Sequence, residues 1–327
     1  MLQFPRVAVV DWILSSASLW FLFSAILLKL CLPYMAGVAV FTIGVIRIRK
    51  EVASARGVDR ITLLGPLFLA VPMAIFGADH FVFAESIVPL VPSWIPGHLF
   101  WVLFVGVCLV AGALSLALRR YAILAAALFG AMLFFFVLLM WLPAIVQQPS
   151  DRFAWALAFR DLTFSAGALS LAAAKVPVRW TRSANIVLHL IRVEIGIAAI
   201  FFAVEHLLHP EFKPGVPLEE LTPIWIPVRL PVSYLTGLVL LITGVALVGN
   251  RWTKLAATGL GLWLLLLVIV VYAPIMIVQP WAVVTGGSDG LNFLADTVMF
   301  SGSVLCLAGS YREKVTAYAT ASTMEVR

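Results

Sequence analysis

Apolar runs of bilayer-crossing length follow one another along nearly the whole chain. Crossing the hydrocarbon core takes about 20 residues of helix. Runs of that kind fall at 62–83, 98–118, 121–143, 157–174, 186–208, 230–249, 255–277 and 292–309. In lipid every backbone N–H and C=O needs an internal partner, which leaves helices and closed barrels as the spanning forms. Runs this long predict helices, and so an all-α, polytopic transmembrane helical bundle. Of the 327 residues, 63% are hydrophobic and 12% are charged, whereas soluble domains carry about 25% charge. Lipid must therefore cover most of the surface. Ahead of these runs, residues 11–48 are apolar for too long to be one helix. Proline disfavours α geometry in the residue before it, so Leu32-Pro33-Tyr34 predicts a break and an N-terminal hydrophobic hairpin of helices 11–31 and 34–48.

The basic residues fix an orientation. Arg47, Arg49, Lys50, Arg56 and Arg60 precede the first core run, Arg119 and Arg120 follow the second, and Lys175, Arg179 and Arg182 follow the fourth. Arg251 and Lys254 follow the sixth, and Arg312 and Lys314 the eighth. The alternate loops hold Glu85, Asp151, Glu211, Glu219 and Glu220. Positively charged loops stay on the cytoplasmic side, so both termini are expected there, with loops 84–97, 144–156, 209–229 and 278–291 outside. The net charge of +6 is dispersed among these loops, which excludes a nucleic-acid surface. Cys31, Cys108 and Cys306 lie far apart in apolar stretches with no CxxC or Cys/His spacing. Neither a disulfide framework nor a metal site is expected.

Two stretches match when laid over each other. Pro92-Ser93-Trp94-Ile95-Pro96 answers Pro223-Ile224-Trp225-Ile226-Pro227, Gly106 answers Gly237 and Pro143 answers Pro274, at one offset (223 − 92 = 131). Asp79-His80 answers Glu205-His206, with five extra residues in the second loop, and Asp161 and Gly167 answer Asp296 and Gly302. Four helices per copy is an even number, so the copies share one orientation: two tandem parallel four-helix repeats. The expected organisation is a hairpin and basic loop (1–60), repeat one (61–176), repeat two (177–310) and a disordered cytoplasmic tail (311–327).

The acid-His pair closing the first helix, the P-x-W-I-P loop and the glycine of the next helix resemble the DoxX/DoxD family of four-helix membrane proteins, here in tandem duplicate over about residues 62–309. The resemblance implies the four-helix fold. It also implies a place in the cytoplasmic (inner) membrane of a bacterium, beside a soluble or membrane redox partner or in a homo-oligomer. That family includes a subunit of a thiosulfate:quinone oxidoreductase, so a quinone is the implied cofactor or ligand.

Ionisable side chains inside a bilayer are costly and mark partners or function. Asp79, His80, Trp94, Gln147, Arg160 and Asp161 all fall in one layer near the outer boundary, and Glu205, His206, Trp225, Gln279 and Asp296 form the same layer in the second copy. The predicted site is a polar pocket under each P-x-W-I-P loop. His80 with Asp161, and His206 with Asp296, would exchange protons. Asp79, Trp94 and Gln147, and Glu205, Trp225 and Gln279, would bind a quinone headgroup or a small anion. Adjacent helical residues point about 100° apart, so Asp79 and His80 are not expected to form a dyad. Arg192 is expected to snorkel to the cytoplasmic interface. The competing readings are a scaffold whose polar layer only fixes helix packing, and a small-molecule transporter.

Overall fold

The structure is a computed structural model that describes residues 31–176, 181–215, 220–278 and 289–325. Its elements are α1 (Cys31–Ser54), α2 (Gly65–Val82, preceded by the turn Asp59–Thr62), α3 (His98–Leu118) and α4 (Ala122–Gln147). Then come α5 (Arg152–Ala173), α6 (Thr181–Leu208), α7 (Arg229–Val248), α8 (Thr253–Val278) and α9 (Asp289–Glu325). Beyond helices, the described residues hold one isolated bridge, between Phe212 and Leu221.

Among the described residues, eight helices are long and apolar enough to cross a membrane. Seven coincide with the expected core runs, and the eighth is α1. The remaining expected run, α5, is 22 residues long. It spends its apolarity on Arg152, which pairs with Glu205 of α6, on Arg160, which pairs with Asp296 of α9, and on Asp161, which pairs with Arg160 and Trp141. Residues 11–30 of the expected hairpin lie outside the described residues. Its second arm is helical from Cys31, the first described residue, and ends later than 48. The described helix runs through Pro33, where the sequence predicts a break. The tail expected to be disordered continues α9 to Glu325; Lys, Glu and Ala in this stretch are good helix formers.

Consecutive helices pack as neighbours from α2 to α5 and again from α6 to α9. The ends of these two series meet each other's ends: α2 lies on α9 and α5 on α6, while α5 and α9 cross between them. Close crossings need small residues. A Cβ on Gly167 of α5 would stand 2.3 Å from Ser303 Cα of α9, and one on Gly302 of α9 would stand 2.7 Å from the Phe68 carbonyl carbon of α2.

Several backbone features recur 131 residues apart. Positive φ, uncommon for residues other than glycine, occurs at Arg119 and Tyr121 and again at Asn250 and Trp252; helices α3 and α7 start after the left-handed residues Gly97 and Val228. Both α4 and α8 contain a π-helical turn, at Val137–Trp141 and Val268–Tyr272. Each turn precedes a proline, Pro143 or Pro274, that lacks the N–H for an i−4 bond and crowds that carbonyl. Widening the helix just before it relieves the clash, and π turns of this kind gather at functional sites.

Candidate functional site

A cavity of about 650 Å³ opens at the end of the bundle that carries the Pro92–Pro96 loop. Helices α2, α3, α4, α5 and α9 wall it, so it draws on both halves of the chain. Most of the wall is aromatic or aliphatic. Phe104, Phe135 and Leu139 line it and are also exposed, so the cavity is open on the flank between α3 and α4. Trp94 stands at the mouth, 68% exposed.

The polar floor comes from the helix ends. Asp79 is buried, at 5% exposure, and neither carboxylate oxygen has a hydrogen-bond partner. His80, one residue on, also lines the cavity, and its Nδ1 donates to the Phe76 carbonyl at 2.7 Å. A carbonyl can only accept, so Nδ1 carries the proton and the neutral ring presents the Nε2 lone pair. The tight α2–α3 crossing holds this turn in place, since a Cβ on Gly106 would stand 2.8 Å from His80 Cβ.

Across the cavity, Arg160 bridges two carboxylates. Its Nε and Nη2 hold Asp161 Oδ1 at 3.0 and 2.9 Å, and Nη1 reaches Asp296 Oδ2 at 3.4 Å. Trp141, at the end of the first π turn, donates Nε1 to Asp161 Oδ2 at 2.7 Å. Asp161 is thus satisfied on both oxygens, while Asp296 Oδ1 and the nearby Asn292 Oδ1 have no partner. Three carboxyl groups face one guanidinium here, an arrangement that repels an anion whenever the carboxyls are ionised.

The corresponding place in the second half is filled. His206 Nδ1 donates to the Phe202 carbonyl at 2.6 Å, repeating the His80 geometry, and its Nε2 accepts the Gly215 N–H at 2.8 Å. Tyr272, 131 residues after Trp141, donates its hydroxyl to the Pro214 carbonyl. Lys213, buried, sets its ammonium 4.1 Å from the centre of the Phe293 ring and bonds Glu220. Glu205 pairs with Arg152 of α5. Residues 213–215 of the longer loop thus occupy the space beside His206, Tyr272 and Phe293. His206 and Tyr272 are buried to within 1%.

The expected pairs do not form: His80 bonds the Phe76 carbonyl rather than Asp161, and His206 bonds Phe202 and Gly215 rather than Asp296. The two aspartates share Arg160 instead, because the α5–α9 crossing brings them together. Asp79, His80, Trp94, Asp161 and Asp296 do line one cavity; Gln147 is exposed at the end of α4 and outside it, and Trp225 is 40% exposed and outside it. Gln279 lies outside the described residues. Arg192 does not snorkel. It is 2% exposed and donates to the Leu247 and Val248 carbonyls, closing the C-terminus of α7 as cations at helix ends do. Sequence reasoning missed Trp141, Trp101, Asn292 and Arg152; the only advance signal was Pro143 and Pro274 at matched positions, which mark the π turns that aim Trp141 and Tyr272.

No family model, curated protein or solved structure matches this chain.

Proposed function

We propose that the chain is a DoxX/DoxD-like integral membrane protein of two tandem parallel four-helix repeats, serving as the membrane subunit of a quinone-linked redox system. In this reading it binds and orients the headgroup, and a partner protein exchanges electrons with it. The matched positive-φ residues, π turns and helix starts, all 131 residues apart, support the repeat. The alternating basic loops support cytoplasmic termini in a bacterial inner membrane, which sets the cavity at the outer face.

One observation carries the functional reading: a mostly apolar cavity, open on the lipid-facing flank, ends on a buried, unpartnered Asp79 beside His80. Binding sites commonly join an apolar wall to a few convergent polar groups, and a flat aromatic headgroup entering from lipid fits both parts. The charge balance favours a neutral headgroup over a small anion. For transport, the cavity would have to reach the midplane and beyond. The cavity at the opposite end, about 480 Å³, shares no lining residue with it. The scaffold reading draws on the second half, where the same positions serve packing alone.

The test is calorimetric titration of the purified protein, in nanodiscs, with decyl-benzoquinone in its oxidised and reduced forms. Saturable binding of at least one form, lost in His80→Ala/Trp94→Ala while the protein stays monodisperse, is expected. Absence of saturable binding by both forms would overturn the reading and leave the scaffold role.

A further inference from the structure

We infer that the cavity selects a ligand that brings hydrogen-bond donors, so that within the quinone class it takes the reduced, hydroxyl-bearing hydroquinone in preference to the oxidised quinone. This rests on the reading of the cavity as a headgroup site and adds the redox form.

The inference comes from a count of what the wall offers. Asp79 contributes two carboxylate oxygens and Asp296 one, all buried and without a partner among the described residues. His80 adds the Nε2 lone pair, because its Nδ1 proton is committed to the Phe76 carbonyl. Most of the donors that might balance them are engaged, and the Arg160 guanidinium spends three of its five N–H groups on carboxylates. Trp101 donates to the Pro96 carbonyl, Trp141 to Asp161, and the Arg160 guanidinium to Asp161 and Asp296. Asn292 carries an amide that serves either way, and Trp94 offers its N–H only at the exposed mouth. Buried acceptors without donors are costly, so an occupant that supplies O–H or N–H groups is favoured. A buried carboxyl that takes up a proton can donate to a carbonyl, but a quinone, which only accepts, still leaves His80 Nε2 unmet, whereas a hydroxyl donates there and can accept elsewhere.

The second half shows the same acceptors when they are met. His206 repeats the His80 geometry, and its Nε2 takes a proton donor, the Gly215 N–H. Glu205, in the position of Asp79, takes the Arg152 guanidinium. In the first half that guanidinium has no counterpart in sequence: at the offset relating Asp161 to Asp296 (296 − 161 = 135), Arg152 answers to Gly287. Where the protein fills the site itself, it does so with donors, and where it does not, a ligand must bring them.

Two ligand pairs separate the donor from everything else: decyl-hydroquinone against decyl-benzoquinone, and 4-hexylphenol against its methyl ether, each titrated calorimetrically into the protein in nanodiscs. The expected result is binding of the hydroxyl-bearing member of each pair about tenfold or more tighter, the weight of one or two hydrogen bonds. In Asp79→Leu and in His80→Phe that ratio should fall towards one, with the monodisperse peak on gel filtration retained. The wild-type ratios decide the matter even if a variant fails to fold. Equal affinities, or a tighter oxidised form, would overturn the selection for donors and leave the headgroup site standing. Binding of neither member of either pair would overturn both.

Discussion

Asp79-His80 and Glu205-His206 occupy the same turn of α2 and α6, and both histidines fix their ring through Nδ1 to the carbonyl four residues back. Their surroundings then diverge. In the second half, a backbone N–H meets His206 and a guanidinium meets Glu205; in the first half, Nε2 and both Asp79 oxygens face an open cavity. Five extra loop residues and one arginine separate a filled site from an open one. Polar residues inside a bilayer can therefore be met by the protein itself in one half and left unmet in the other, and identity at matched positions does not tell which. What surrounds them does.

The comparison can be broken at its shared element first. Arg160 serves carboxylates from both halves, and removing one member of a buried ion pair typically costs about 3–5 kcal/mol. Arg160→Leu should lose about that much in detergent unfolding, and adding Asp161→Asn and Asp296→Asn should restore most of it. Unchanged stability would show that the bridge does not join the halves. The histidines come next. His206→Ala strips two bonds from a fully buried ring and should destabilise by about 1–3 kcal/mol. His80→Ala should cost less than about 1 kcal/mol and weaken ligand binding; equal losses of stability would erase the distinction. The acids should follow the same rule. Glu205→Gln should cost about 1–2 kcal/mol, reduced because Arg152 keeps 33% of its side chain exposed, whereas Asp79→Asn should be neutral or stabilising to thermal unfolding. Smallest of all, Trp94→Ala at the mouth should weaken ligand binding about threefold, and Trp225→Ala should leave it unchanged.

The spans were legible because length and apolarity are enough to define a helix in lipid; seven core helices fall where the apolar runs predict. α5 shows the limit of that signal, since Arg160 and Asp161 lower its apolarity for the sake of contacts that only the folded bundle reveals. The polar layer was visible as residue types, but its pairing was not. Pattern matching kept each histidine with the aspartate of its own half. The packing of α2 on α9 and of α5 on α6 instead brings Asp296 into the first half's cavity and Arg152 to Glu205. The five-residue difference in loop length was in plain view. Its consequence, Lys213–Gly215 inside the bundle, depends on the loop folding inward, which spacing does not encode.

The open-and-filled contrast between the halves is tested most directly by binding stoichiometry. Titration of decyl-hydroquinone into the wild-type protein in nanodiscs should saturate at one molecule per chain, and Asp79→Leu should weaken that binding about tenfold. Two molecules bound per chain, or an affinity unchanged in Asp79→Leu, would contradict it.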